Sequence, residues 1–315
     1  FLEWDWLQMM EASGSATAAT GWIPRHLTVW SGSELAAAAP LYVKTHSAGE
    51  FVFDHAWADV AGRLNRPYYP KLVGMSPFTP MIGYRFLMAP GLDETELIGR
   101  MLEEIERFCR HNGLAGCSFH FVEPPWAETL AGGGFCPWAH QSFVWENEGF
   151  LGFEDYLSSF TANQRRNIRR ERLRLARQDI RVDMVAGDAL PRSLYAHMHA
   201  FYTRTNEQFG PWGCRYLTGD FFSLLADRFR ERLVFAVASE GTRRAPVGMA
   251  LLVAKGCNLY GRYWGCAREV EFLHFEACYY RPIEWAIARG IRKFDPGMGG
   301  GHKLRRGFRA VANYS

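Results

Sequence analysis

The sequence predicts an α/β protein of two tandem domains of similar build, residues 1–150 and 151–315. Three observations lead there. The length, 315 residues, exceeds one compact α/β domain and suits two. The order strand, helix, glycine stop, strand occurs once in each half. The charge is also divided: residues 1–150 carry 9 Lys and Arg against 17 Asp and Glu, and residues 151–315 carry 27 against 16, within a net charge of +3.

The elements follow in order. Ala38–Lys44 and Glu50–Asp54 have strand character, and Pro77, Pro80, Gly83 and Pro90 mark turns. Leu97, Ile98, Met101, Leu102, Ile105, Phe108 and Cys109 recur on one helix face. His111-Asn112-Gly113 ends that helix, and Cys117–Val122 reads as the next strand. Gly132-Gly133-Gly134 and Gly149–Gly152 supply hinge material, which places the boundary near residue 150. Beyond it, Asp155–Ser159 and Ala162–Gln178 read as helices. Leu233–Ala238, Pro246–Ala254 and Asn258–Tyr263 read as strands. Phe275–Arg289 is a helix stopped by Gly290, and Ile291–Asp295 is the strand after it.

Composition narrows the class. Hydrophobic residues at 48% and charged residues at 22% are globular values and exclude a disordered, coiled-coil or collagen-like chain. No apolar run approaches the ~18–20 residues of a membrane span, and no secretory leader is visible. The seven Cys form no C-x-x-C pair. Most lie in apolar runs, so they read as buried thiols of a reducing, cytoplasmic compartment rather than as disulfides or a zinc site. The basic second half points to an anionic, phosphate-bearing partner such as a nucleotide, coenzyme A or RNA. Attraction between two oppositely charged domains is the plainer explanation.

Three features carry possible chemistry. The helix over 163–178 holds Arg165, Arg166, Arg169, Arg170, Arg172, Arg174 and Arg177 against Glu171, with Ile168 and Leu175 as apolar anchors. Guanidinium forks suit phosphates; a surface helix docked on acidic residues is the structural alternative. Second, Asn258–Ala267 is a strand running into a turn, and Arg262-x-x-Gly265-x-Ala267 fits the R-x-x-G-x-A pyrophosphate loop of GNAT-superfamily acetyltransferases. Such a loop needs free backbone N–H groups at a helix start. Third, a strand ending at Phe294-Asp295 opens into a loop rich in glycine, followed by His302, Lys303, Arg305 and Arg306. Lys303 suits a phosphate or a developing oxyanion, and His302 suits proton transfer.

In this order and spacing the features resemble the Fem-type aminoacyltransferases, which are built from two GNAT-like domains. Tyr260–Cys266, Ile283–Gly290, Phe294–Gly299 and Lys303–Phe308 match that family's second domain. Gly49–Asp54, Tyr68–Leu72, Pro77–Pro80, Leu273–Tyr279 and His302–Phe308 are similar to a bacterial Fem-related group labelled peptidoglycan biosynthesis/recognition proteins or N-acyltransferases. The resemblance implies two GNAT-like domains and transfer of an acyl or aminoacyl group to an amine, from an acyl-CoA or an aminoacyl-tRNA, with no permanently bound cofactor. By position it places Lys303 near the transfer centre and Lys71 near the acceptor. No heptad run matches the coiled-coil arm that many Fem enzymes carry.

The expected catalytic residues are therefore Lys303 and His302, with His274 and Glu276 as acid/base candidates that also fit a packing role. Arg262, Gly265, Ala267, Arg169 and Arg170 are expected on the donor. Lys71, Tyr260, Tyr263 and Asp295 are expected on the substrate. No metal is expected. The competing expectation is a non-catalytic module of the same fold that recognises cell-wall fragments or RNA.

Overall fold

The computed structural model of the chain describes residues 1–210, 213–242 and 245–315. The chain divides into unit 1, residues 1–141 and 312–315, and unit 2, residues 142–311.

Unit 1 contains α1 (Trp4–Ala12), β1 (Trp22–Pro24), β2 (Leu27–Ser31), β3 (Glu34–Ala39), β4 (Leu41–Lys44), α2 (His55–Arg63), β5 (Lys71–Gly74), β6 (Leu87–Met88), α3 (Glu94–His111), β7 (Cys117–Phe119) and α4 (Pro124–Gly132). Its main sheet has the order β1-β4-β5-β7, and β2-β3-β6 form a second. The expected strand 38–44 is split at Pro40 into β3 and β4, which belong to different sheets. A proline lacks the ladder donor, so the break falls there.

Glu50–Asp54 is a loop, not a strand. Gly49 (φ +83°) and Phe51 (φ +57°) turn the backbone into the left-handed region, and a Cβ on Gly49 would stand 2.6 Å from the Phe78 ring. Helix α3 begins at Asp93, whose side chain accepts from the N–H groups of Thr95 and Glu96 at 3.0 and 3.1 Å. Its predicted face buries Ile98, Met101, Leu102, Ile105 and Cys109 against Leu72, Phe119 and Leu130. Burial of each large aliphatic side chain there stabilises by about 1.5–3 kcal/mol.

Unit 2 contains most of β8 (Ala139–Glu146), then α5 (Phe153–Ser158), α6 (Ala162–Ala176), β9 (Ile180–Ala186), α7 (Arg192–Glu207), α8 (Gly219–Arg228), β10 (Leu233–Glu240), β11 (Gly248–Lys255), β12 (Asn258–Cys266), α9 (Leu273–Phe275), α10 (Arg281–Ala288), β13 (Lys293–Asp295) and β14 (Arg309–Tyr314). Its sheet order is β14-β8-β13-β12-β11-β10-β9. Because β8 already pairs with β13 through Trp145 and Glu146, Gly149–Gly152 lies inside unit 2. The division therefore falls at residue 141 instead of near 150. Pro282 interrupts the helix between α9 and α10: it has no N–H to offer the carbonyl four residues earlier, and Glu276–Tyr280 widen into a π turn.

The repeat read from the sequence is a crossover. In unit 1 it runs β5, α3, Gly113 (φ +63°) and β7, with β5 and β7 parallel. In unit 2 it runs β12, α9–α10, Gly290 (φ +66°) and β13, with β12 and β13 parallel. The second pair separates early. Its last partners are Tyr260 and Asp295; β12 continues beside β11 to Cys266, while the chain after Asp295 leaves the sheet. Parting strand ends are the usual place for a site in such sheets. Among the described residues no helix is long and apolar enough to cross a membrane.

Candidate active site

The parting in unit 2 is occupied by the glycine-rich segment after Asp295. Gly297, Gly299 and Gly300 all have positive φ, so the loop can fold back on itself. Lys303 lies beneath it, 1% exposed. Its Nζ donates to the carbonyls of Gly297 at 2.5 Å and Met298 at 2.9 Å, and among the described residues no carboxylate pairs with it. Burial lowers its pKa to about 8, with Asp295 opposing. Asp295 accepts from the Gly297 N–H at 2.9 Å, and burial raises its carboxyl to about 6.

His302 is exposed and holds the Tyr279 hydroxyl at 3.0 Å through Nε2. Burial of its ring, then Arg306 and Lys303, lower its pKa. A Cβ on Gly300 would stand 2.3 Å from His302 Nδ1, so a side chain there would displace this ring. His274 packs between Trp264 and Tyr279, and burial with three neighbouring basic groups lowers its pKa to about 4.

Glu276 does not join this group as a base. Its carboxylate takes both Nε (3.1 and 3.0 Å) and Nη2 (2.8 Å) of Arg172. Arg172 in turn reaches Glu284 at 2.9 Å. A buried carboxylate bound this way is spent on structure.

Two donor-binding expectations are corrected. Arg262 to Cys266 are strand, paired with β11 up to Gly248–Cys266, and the Ala267 N–H donates to the Val247 carbonyl. No helix starts until Leu273, so Gly265 and Ala267 do not offer amides to a pyrophosphate. Gly265 is glycine for another reason: a Cβ would stand 2.3 Å from the Phe201 carbonyl oxygen, where α7 crosses β12. Arg262 donates to the Tyr263 hydroxyl at 3.1 Å, and Tyr263 packs on Tyr202. With Tyr260 they lie on β12 at and beyond its last partner on β13.

The arginine helix α6 starts at a Thr161–Gln164 capping box and buries Ile168 and Leu175. Arg169 pairs with Glu154 at 2.5 Å, and Arg174 lies 3.4 Å from Glu271. Arg170 is exposed. Arg169, Arg172 and Arg174 thus meet acids of the same unit, while Arg170 faces solvent.

Unit 1 holds a second polar centre, of which the sequence reading named only Lys71. Lys44 and Lys71 are register partners on β4 and β5. Like charges placed so repel, and the 47–54 loop supplies the compensation. Lys71 Nζ donates to Glu50 at 2.8 Å, Asp54 at 2.6 Å and Ser47 at 3.1 Å. Tyr68 and Ser47 also donate to Asp54, at 2.8 and 2.9 Å, and His120 Nε2 lies 3.2 Å from Glu50. Burial pushes both carboxyls up, but their partners, Lys71 above all for Asp54 and His120 first for Glu50, hold them below the usual range.

Asp54 precedes α2, yet its side chain does not cap the helix; it is turned to Lys71 instead. Lys44 sits 3.8 Å over the Trp22 ring and donates to the Ala48 carbonyl at 3.2 Å. Burial lowers its pKa to about 7, with Lys71 adding to the effect and Glu50 opposing it. The thiols are less uniform than expected: Cys109 is buried, five are half-buried and Cys136 is exposed. Among the described residues no group of three His, Cys, Asp or Glu is placed to hold a metal.

The architecture is α/β, with mixed sheets flanked by helices in both units. FemX has the same fold, with a TM-score of 0.56 at 11% identity over 99% of this chain and 90% of that one. L-PGS from Bacillus licheniformis gives 0.54 at 10% identity over 94% and 75%. No curated protein matches the sequence. This chain belongs to the FemAB-like family, described as peptidoglycan biosynthesis/recognition, whose model matches residues 1–315.

Proposed function

We propose that the chain is an N-acyl- or aminoacyltransferase acting on an amine of cell-wall precursor metabolism. One observation carries the reading. Lys303 keeps a buried ammonium where the parallel strands part, and it is held by two carbonyls rather than a carboxylate. Attack of an amine on an activated ester forms the C–N bond and puts negative charge on the carbonyl oxygen. A cation not already neutralised is the group that stabilises that charge. His302, neutral at pH 7, takes the proton from the attacking nitrogen. The ester C–O bond then breaks, and the leaving alcohol carries the proton away.

The donor is the finer question. The strand amides of Arg262–Cys266 and the acidic Glu269 and Glu271 that follow offer little to a CoA pyrophosphate, which favours aminoacyl-tRNA. Either donor would place the reaction in the cytoplasm. The test is transfer of a labelled amino acid from a mixed aminoacyl-tRNA pool to UDP-linked peptidoglycan precursors, with labelled acyl-CoAs in a parallel arm. Label on the precursor amine, lost in Lys303→Met, is the expected result. A thermal shift with the precursors or RNA and no transfer from any donor would favour the recognition module instead.

A further inference from the structure

Unit 1 contains a cavity of about 500 Å³ that none of the transfer chemistry uses. One wall is α2, which buries none of its residues. Trp57 and Val60 of that helix and Leu64 at its C-terminal cap line the cavity, and they are 56%, 47% and 68% exposed. Trp138 lines it as well, edge-on to Trp57 with ring centroids 6.3 Å apart. An apolar face left open like this marks a binding surface.

The polar lining says what kind of ligand is missing. Asp54 and His120 line the cavity and are 3% exposed, and Asp54 Oδ1 and His120 Nδ1 have no hydrogen-bond partner. With Nε2–H turned to Glu50, Nδ1 of the neutral ring is an acceptor, as is Asp54 Oδ1. Lys71 cannot serve them, because its three donors already meet Ser47, Glu50 and Asp54 Oδ2. Two buried acceptors therefore lack a donor beside an apolar wall.

We propose that this pocket binds an amphipathic amine, its nitrogen donating to Asp54 and His120 and its apolar body lying along α2 beside the Trp57–Trp138 pair. A carboxylate oxygen without a donor and two indole rings lining one cavity suit an alkylammonium. The proposal goes beyond the transferase reading and does not depend on it, since the site lies within unit 1 and its test measures binding.

The experiment is calorimetric titration of the whole chain with octylamine, octanol and octanoate. One saturable site is expected, with octylamine at least about tenfold tighter than octanol and octanoate weakest. Asp54→Asn should weaken octylamine about tenfold or more. Val60→Lys, at an exposed position, should do the same with an unchanged melting temperature, and it decides the matter if Asp54→Asn does not fold. Octylamine should also slow alkylation of Cys136, which is exposed and lines the cavity. Octanoate binding tightest, through the rim residue Arg66, would overturn the proposal. So would equal affinity for octanol and octylamine, or a Val60→Lys protein that binds as the parent does.

Discussion

Unit 1 buries Lys71 on the first strand of its parallel pair, next to a second buried lysine, Lys44, and unit 2 buries Lys303 in the segment that leaves the second strand of its pair. Lys71 is enclosed by Glu50 and Asp54, and although burial lowers its pKa, those two carboxylates raise it further, to a net value above the ordinary one. Lys303 is enclosed by carbonyls, and burial wins, leaving it near 8. The same side chain is thus a structural cation in one unit and a costly one in the other. A buried charge kept without a counter-ion works against folding, and such groups cluster at functional sites.

The largest effect should come from removing the structural cation. Lys71→Met leaves two buried carboxylates without the cation they share, and should cost about 3–5 kcal/mol in denaturant unfolding. A loss below 1 kcal/mol would erase the contrast between the units. Arg172→Met carries the comparison into unit 2, where it strands Glu276 in the core. A loss of about 2–3 kcal/mol is expected. It should be larger at pH 7 than at pH 5, because burial already raises the Glu276 pKa and the lone carboxyl would protonate in mild acid. Arg170→Ala is the small end of the series. Its side chain is exposed, so stability should move by less than about 0.5 kcal/mol, and tRNA affinity should barely change. A large fall in affinity would restore α6 as a nucleic-acid surface.

The parts legible in the sequence are those set by periodicity and punctuation. The α3 face, its Gly113 stop, the Gly290 stop and the β10–β12 strands all follow from local pattern. The glycine loop with Lys303 is visible because five glycines beside a basic cluster are an unusual connection between two strands. The unit 1 cluster was not visible, and the reason is physical. Glu50 and Asp54 point inward while Phe53 points to solvent, 70% exposed, the reverse of the pattern that makes 50–54 resemble a strand. Only the positive φ at Gly49 and Phe51 turns the acids inward, and a local reading has no access to that. The motif phrases around Glu50, Asp54 and Lys71 did hold the signal, but as three separate stretches that tertiary structure brings together. The R-x-x-G-x-A match failed for the opposite cause: Gly265 is required by helix packing, which yields the same letters as a phosphate loop.

The proposed role of Lys303 requires that its charge be retained against stability, for chemistry. Unfolding free energies of the parent and Lys303→Met at pH 7 and at pH 9.5 test it most directly, with acyl-transfer activity measured alongside. The folded-state pKa, about 8, lies below the ordinary lysine value of 10.5. The cost of holding the charge is therefore full below pH 8 and fades as pH rises toward 10.5. Lys303→Met should be more stable than the parent by about 2 kcal/mol at pH 7, the gap should narrow by pH 9.5, and the variant should transfer nothing. A Lys303→Met protein that is less stable at pH 7, or that remains active, would contradict that role.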